Sequence, residues 1–279
     1  MKPFDRVVIV GVGLLGGSIG LALRDRQLAK SVVGVGRTSA GLQQALELGA
    51  ITEVQNDLGR ACAGADLAII CTPVQQVAEW VRRCQPLVRS DALITDVGST
   101  KRTICELLQA GFRENFCGSH PLAGSDKSGV AHAQPQLFLG RLAVVTPTEQ
   151  TPLALAERTE ALWQALGSRT LRMGPAEHDE AVARTSHLPH LVASALAGKT
   201  ATHLLPLAAS GWCDTTRVAA GNVELWRQIV CENRLPVLQA LREFTASLGE
   251  WVEALERGDE LRLTQLLEIG KQQRDSVGN

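Results

Sequence analysis

The sequence predicts an α/β fold: a doubly wound, mostly parallel sheet in its N-terminal part, followed by an all-helical C-terminal part. Three observations predict it. Short apolar runs rich in Val and Ile alternate with helical periods as far as residue 173, which is the pattern of successive βαβ units whose sheet is covered on both faces. Gly174-Pro175 then punctuates the chain, as such a pair does at a boundary. Beyond it the residues keep a helical period and show no strand signal. A length of 279 residues suits two domains, placed at 1–174 and 175–279.

The elements follow in order. Strands are predicted at residues 6–10, 32–35, 66–71, 92–96, 142–146 and 169–173, each a short and largely apolar run. Helices are predicted near 18–24, 42–48, 75–84, 100–108 and 153–166. A further strand end is placed at 116–118, just before His120. In the C-terminal part Val182, Thr185, Leu188, Val192 and Leu196 recur at three- and four-residue steps, and Leu235, Leu238, Leu241, Leu248, Val252 and Leu255 do the same. Both sets are stripes of amphipathic helices. Pro189 is expected to bend or restart its helix, and the tail after Lys271 to fray.

Composition excludes several classes. The net charge of −1 gives no basic footprint for nucleic acid. No apolar run reaches the roughly 18 residues of a spanning helix, and no signal-peptide pattern precedes the first strand. The seven cysteines include no CxxC pair and are odd in number, which argues against a disulfide framework or a zinc knuckle. Free thiols and a cytoplasmic location are expected, with no metal site.

Gly11, Gly13 and Gly16 follow the first strand and open a helix through Leu14 and Leu15. In this context the first glycine permits a tight turn, the second lets backbone approach a pyrophosphate, and the third lets helix and strand pack closely. The helix N-terminus adds free N–H groups and a positive dipole end. The N-terminal part therefore reads as a Rossmann-like dinucleotide-binding domain. A carboxylate for the ribose 2′-hydroxyl is expected about 20 residues on, but that region holds Gly36, Arg37, Thr38 and Ser39. Arg37 could pair with a 2′-phosphate, with Thr38 and Ser39 donating to it, so NADP is predicted over NAD. The alternative is a solvated Arg37 and use of either cofactor. Cys71, Thr72 and Pro73 form the turn after the third predicted strand. Either they pass under the nicotinamide ribose, as loops at strand C-termini do, or they merely end the strand.

Three clusters remain: Asp96-Val97-Gly98-Ser99-Thr100-Lys101, then Gly118-Ser119-His120-Pro121-Leu122-Ala123-Gly124-Ser125, then a spread set. The spread set comprises His178-Asp179, Ser186-His187-Leu188-Pro189-His190 and Gly211-Trp212-Cys213-Asp214-Thr215-Thr216-Arg217. Lys101 reads as a charge on a solvated face. His187 and His190 lie three residues apart, which is open to a metal pair, to buried hydrogen-bonded groups or to a ligand pocket.

In order and spacing these clusters resemble the prephenate and arogenate dehydrogenases of tyrosine biosynthesis, from Gly11 through Trp226. The resemblance implies oxidative decarboxylation of a cyclohexadienol: prephenate to 4-hydroxyphenylpyruvate, or arogenate to tyrosine. It implies His120 as the base for the ring hydroxyl and Ser99 as its hydrogen-bonding companion. It implies Arg217 as the clamp on the ring carboxylate, with Asp214 able to position it from one turn earlier. Gly211, His187 and His190 would line the substrate pocket, and Trp226 would reach toward the site of a second subunit. The helical part would carry a homodimer interface, and NADP use would accompany arogenate preference. The positions before Asp214, namely Ser210, Trp212 and Cys213, lie where the family varies and where substrate choice is set. Two alternatives stand beside this reading: a dehydrogenase of the 3-hydroxyacid type, and an NADP-sensing protein without turnover. The first would rely on a Lys acid/base, and the second would bind cofactor without reaction.

Overall fold

The structure is a computed structural model describing residues 2–108, 115–124 and 127–277. It comprises two compact units, Met1–Asn233 and Arg234–Asn279.

In the first unit a five-stranded sheet is built from β1 (Phe4–Val10), β2 (Ala29–Val35), β3 (Glu53–Val54), β4 (Leu67–Ile70) and β5 (Leu93–Asp96). The order is β3-β2-β1-β4-β5, parallel throughout. Because side chains alternate along a strand, β1 serves two cores. Val7 and Ile9 pack on one face with Ile19, Leu23 and Trp163. Val8 and Val10 pack on the other with Ile70, Val81 and Ile94. All four β1 side chains are essentially sealed from water, and each contributes about 1.5–3 kcal/mol through burial.

The connecting helices are α1 (Leu14–Asp25), α2 (Ser39–Glu47), α3 (Leu58–Cys62), α4 (Val77–Cys84), α5 (Arg102–Leu108) and α6 (Leu153–Ala165). β3 and α3 are too short to leave a period, and no element was expected there. The loop between β5 and α5 runs from Val97 to Lys101. Helix α5 begins at Arg102 rather than at residue 100, since a carboxylate from elsewhere in the chain, Asp179, caps it.

A second sheet joins β6 (Gly118–Pro121), β7 (Leu142–Thr146) and β8 (Arg169–Arg172) in that order. β6 is antiparallel to β7, and β7 is parallel to β8. Phe116 bridges to Ile94, tying this sheet to the edge of the first. His120 therefore lies within a strand, opposite Val144, not beyond one ending at residue 118. The run Gly118-Ser119-His120-Pro121 is polar and lacks the apolar signature that marks the other strands.

Residues after β8 turn helical. Helix α7 (Pro175–Val182) begins with Pro at its first position, where the missing N–H costs nothing. A π turn at Ala183–His187 leads directly into α8 (Leu188–Lys199). Pro189 falls in the first turn of α8, which starts from the π turn, so the helix restarts at the proline as expected. The wider turn just before it takes up the missing N–H and the ring. Helices α9 (Ser210–Thr216) and α10 (Val223–Glu232) complete the unit. Trp212 Nε1 donates to Thr200 Oγ1 at 3.0 Å, anchoring α9 to the end of α8.

The second unit is a hairpin of α11 (Arg234–Arg257) and α12 (Glu260–Ser276). Asp259 caps α12 by accepting from Arg262 N. The helix continues past Lys271, where fraying was expected. An i,i+4 ion pair between Lys271 and Asp275 supports this last turn. Leu235, Leu248, Val252, Leu255, Leu261 and Leu267 are exposed. Among the described residues no helix is long and apolar enough to cross a membrane.

Candidate active site

The glycine turn lies at the C-terminal end of β1, the central strand, where ligands bind in open α/β sheets. Its three glycines have three different environments. Gly11 has φ +95°, and a Cβ there would meet Cys71 O at 2.6 Å. A Cβ on Gly16 would collide with Gly11 O, so this glycine sets the approach of α1 to the turn. A Cβ on Gly13 would meet nothing within 4 Å. The space over Gly13 is open, and α1 has no side-chain cap at its N-terminus. Open space beside an uncapped helix N-terminus, whose first N–H groups have no intrahelical partner, fits a pyrophosphate. Gly13→Ala is therefore expected to keep the wild-type Tm and weaken dinucleotide binding, whereas Gly16→Ala should lower Tm. Thermal melts with and without cofactor check this pair.

Leu14 and Leu15 open α1. Cys71 N bonds to Val10 O at 2.7 Å, and Gly11 N to Val35 O at 2.8 Å, so the turns after β1, β2 and β4 meet. Thr72 Oγ1 is buried and has no hydrogen-bond partner among the described residues, and Pro73 is exposed. At the end of β2, Gly36 packs near Leu42, while Arg37 and Ser39 are exposed. Among the described residues Arg37 has no ion-pair partner. Thr38 caps α2, its hydroxyl accepting from Gly41 N at 3.4 Å. Only its O–H remains to donate.

His120 projects from β6 and is partly exposed. Its Nδ1 lies 2.9 Å from Nε2 of His178, with the rings edge to face. His178 Nδ1 lies 2.8 Å from Asp179 Oδ1. Asp179 also accepts from the backbone N–H of Lys101 at 2.8 Å and of Arg102 at 2.9 Å. His178 and Asp179 are buried. His120 thus has a histidine as its partner, and among the described residues Ser99 makes no hydrogen bond to it.

Below His120, Lys101 is fully buried, contrary to the solvated face expected for it. Its ammonium pairs with the buried Asp96 carboxylate and donates to Ser119 O at 3.0 Å. Asp96 further accepts from Gly98 N at 2.8 Å and Ser119 N at 3.1 Å. Ser119 Oγ returns a bond to Asp96 O at 2.6 Å. A buried charge pair is tolerable only when its remaining bonding positions are filled, and these contacts fill them. They also staple the end of β5 to β6 and so fix the backbone that carries His120.

His187, in the π turn, is buried. Its Nδ1 is 3.1 Å from Asn233 Nδ2, which also donates to Asp179 O at 2.7 Å. The amide is a donor, so His187 accepts at Nδ1 and carries its proton on Nε2. His190 stacks on Trp226 within the same chain, centroids 3.6 Å apart, and His187 meets Trp226 edge to face. Gly221 lies directly against the indole. Among the described residues no group of His, Cys, Asp and Glu converges as a metal site. Arg217, Asp214 and Gly211 are exposed. Asp214 and Arg217 make no ion pair with each other among the described residues, so Asp214 does not hold the guanidinium. Ser125 lies outside the described residues.

Burial holds the three histidines in the neutral form. His120 is pushed well below its ordinary 6.5 by burial first and by the neighbouring His178, Lys101 and His187 next. Burial pushes His187 down to about 4 and lowers His190 as well. In the unfolded chain these imidazoles take up protons near 6.5, so below that pH the unfolded state binds more protons than the native state. Their contribution to stability is complete above 6.5 and is lost as pH falls from 6.5 toward 4. A Tm that declines across that window, and less steeply in His187→Asn, checks the assignment.

A dinucleotide-type glycine turn and a neutral, strand-borne histidine define a nucleotide-dependent dehydrogenase. Comparison with known proteins narrows the class. Residues 19–172 match the family model described as prephenate dehydrogenase, nucleotide-binding domain, and residues 174–269 match prephenate dehydrogenase, dimerization domain. A prephenate dehydrogenase of Bacillus subtilis is 32% identical, over 98% of this chain and 76% of that protein. The crystal structure of prephenate dehydrogenase from A. aeolicus with hydroxyphenyl propionate and NAD+ superposes with a TM-score of 0.91 at 29% identity, covering 98% of both chains. That of Synechocystis arogenate dehydrogenase gives 0.81 at 30% identity, covering 98% of this chain and 99% of the other. The chain belongs to the prephenate dehydrogenase family.

His178, Asp179 and Asn233 are the site residues that sequence reasoning left without a role. The adjacent His178-Asp179 pair was the available signal. Its partner, His120, is 58 residues away and is brought to it only by the packing of α7 on the neighbouring strands and helix.

Proposed function

We propose that the chain catalyses NADP-dependent oxidative decarboxylation of arogenate to tyrosine, with conversion of prephenate to 4-hydroxyphenylpyruvate as the parallel reaction of the same site. The observation that carries this reading is the neutral, accessible His120 in a chain of this family. NADP, when bound, accepts the hydride that leaves ring C4. His120 takes the C4 hydroxyl proton as the carbonyl develops. Arg217 holds the ring carboxylate, whose geometry a guanidinium fork matches. That carboxylate leaves as CO2, its bonding electrons complete the aromatic ring, and His120 returns its proton to the phenolate oxygen. One cyclohexadienol and one NADP+ give one phenol, one CO2 and one NADPH, with no net proton. Ser99, Gly211, Asp214, His187, His190 and Trp226 complete the proposed substrate shell.

The preference for NADP rests on the end of β2. No carboxylate occupies 36–39, and Arg37 is exposed and unpaired among the described residues. Arg37→Ala should raise the KM for NADP about tenfold, the cost of one charge-assisted contact, and leave that for NAD unchanged. Steady-state kinetics with both cofactors tests this, and an unaltered NADP preference would contradict it. The preference for arogenate rests on its association with NADP use in the family.

The domain division proposed is 1–174 for the cofactor and 175–279 for substrate and dimer contacts. A homodimer through the helical part is supported by the description of the matching family model. The exposed apolar side chains of α11 and α12 support it as well. The seven free cysteines fit a reducing, cytoplasmic setting.

A further inference from the structure

We propose that His178 and Asp179 are positioning residues that fix the tautomer of His120, placing its proton on Nδ1 and leaving Nε2 bare to receive the substrate hydroxyl proton. The inference rests on the reading of His120 as the base. It follows from the polarity of three consecutive hydrogen bonds. Asp179 already accepts from two backbone N–H groups, and an ionised carboxylate has nothing to donate. Its bond to His178 Nδ1, at 2.8 Å, must therefore be donated by the imidazole. In the proposed relay His178 is uncharged, and its proton on Nδ1 leaves a lone pair at Nε2. That lone pair faces His120 Nδ1 at 2.9 Å, so His120 must supply the hydrogen. The neutral His120 then has its only lone pair on Nε2.

The relay is rigidly held. His178 is fully buried. The Asp179 carboxylate joins α7 to the start of α5, and Asn233 fixes the Asp179 carbonyl at 2.7 Å. An outer partner that orients a histidine and sets its tautomer is a general device of catalytic and metal sites. Without it His120 would divide between two tautomers, and the form protonated on Nε2 could not act as a base.

The direct test is the ring tautomer, read by long-range proton–nitrogen NMR on the full-length, histidine-labelled protein without ligands at pH 8. The His120 signals are assigned by their loss in His120→Asn. The expected result is His120 protonated on Nδ1 and bare at Nε2, and a proton on Nε2 would overturn the proposal. This readout does not depend on turnover, so it stands or falls separately from the proposed reaction. Kinetics supply the second arm. His178→Leu should lower kcat about 10- to 100-fold, the range for loss of an orienting partner, with substrate KM and NADP affinity within twofold. In His178→Gln the amide oxygen can accept from His120 Nδ1 and should recover most of that loss. Equal losses in both variants, or none in either, would contradict the relay.

Discussion

Replacing His120 with Asn is expected to lower kcat by about 10²- to 10⁴-fold, the range for removal of a general base, while dinucleotide affinity stays at the wild-type value. The side-chain nitrogen of Asn can occupy the position of His120 Nδ1 and keep the bond to His178, so β6 and the Lys101–Asp96 staple beneath it remain as they are. What disappears is the lone pair at Nε2. The cofactor turn is built from the ends of β1, β2 and β4 and shares no hydrogen bond with this imidazole among the described residues. Single-turnover absorbance at saturating substrate, together with cofactor titration, separates the two quantities. A variant with near wild-type kcat would remove His120 from the chemistry.

Arg217→Ala has the second large effect, and it falls on KM. The guanidinium is exposed and has no ion-pair partner among the described residues, so truncation leaves no buried charge stranded and should hardly alter stability. A substrate carboxylate would lose a charge-assisted hydrogen bond or a bidentate pair. Such bonds are worth about 1.5–3 kcal/mol, which corresponds to a KM raised roughly 10- to 100-fold. Lys at this position should recover only part of the loss, because a point charge lacks the fork. Initial-rate curves with wild-type protein, Arg217→Ala and Arg217→Lys check the prediction. An unchanged KM in the Ala variant would take Arg217 out of the clamp.

The parts of this molecule that were legible in the sequence are those whose causes are local. The glycine turn could be read because strand, turn and helix are contiguous, and the three glycines occupy the distinct environments that their spacing implies. The main strands were legible because two buried faces require continuous apolar runs. Lys101 was misread because its partner, Asp96, is set across a turn that only the fold closes. A lone lysine in sequence resembles any surface lysine. The strand expected to end at residue 118 continues through Pro121, because the polar residues of β6 are satisfied by Asp96, Lys101 and His178 and leave no apolar signature. The His120–His178 contact joins residues 58 apart in the chain and depends on the packing of α7 against α5 and β7. The missed polar contacts are long-range ones, and periodicity carries no information about them.

The measurement that bears most directly on the proposed function is turnover by the purified protein with NADP and either arogenate or prephenate, followed at the absorbance of the reduced nicotinamide and by release of CO2. NADPH and CO2 are expected in equal amounts with a phenolic product, and turnover is expected to be faster with arogenate. Binding of NADP with no turnover of either substrate would contradict the proposed function.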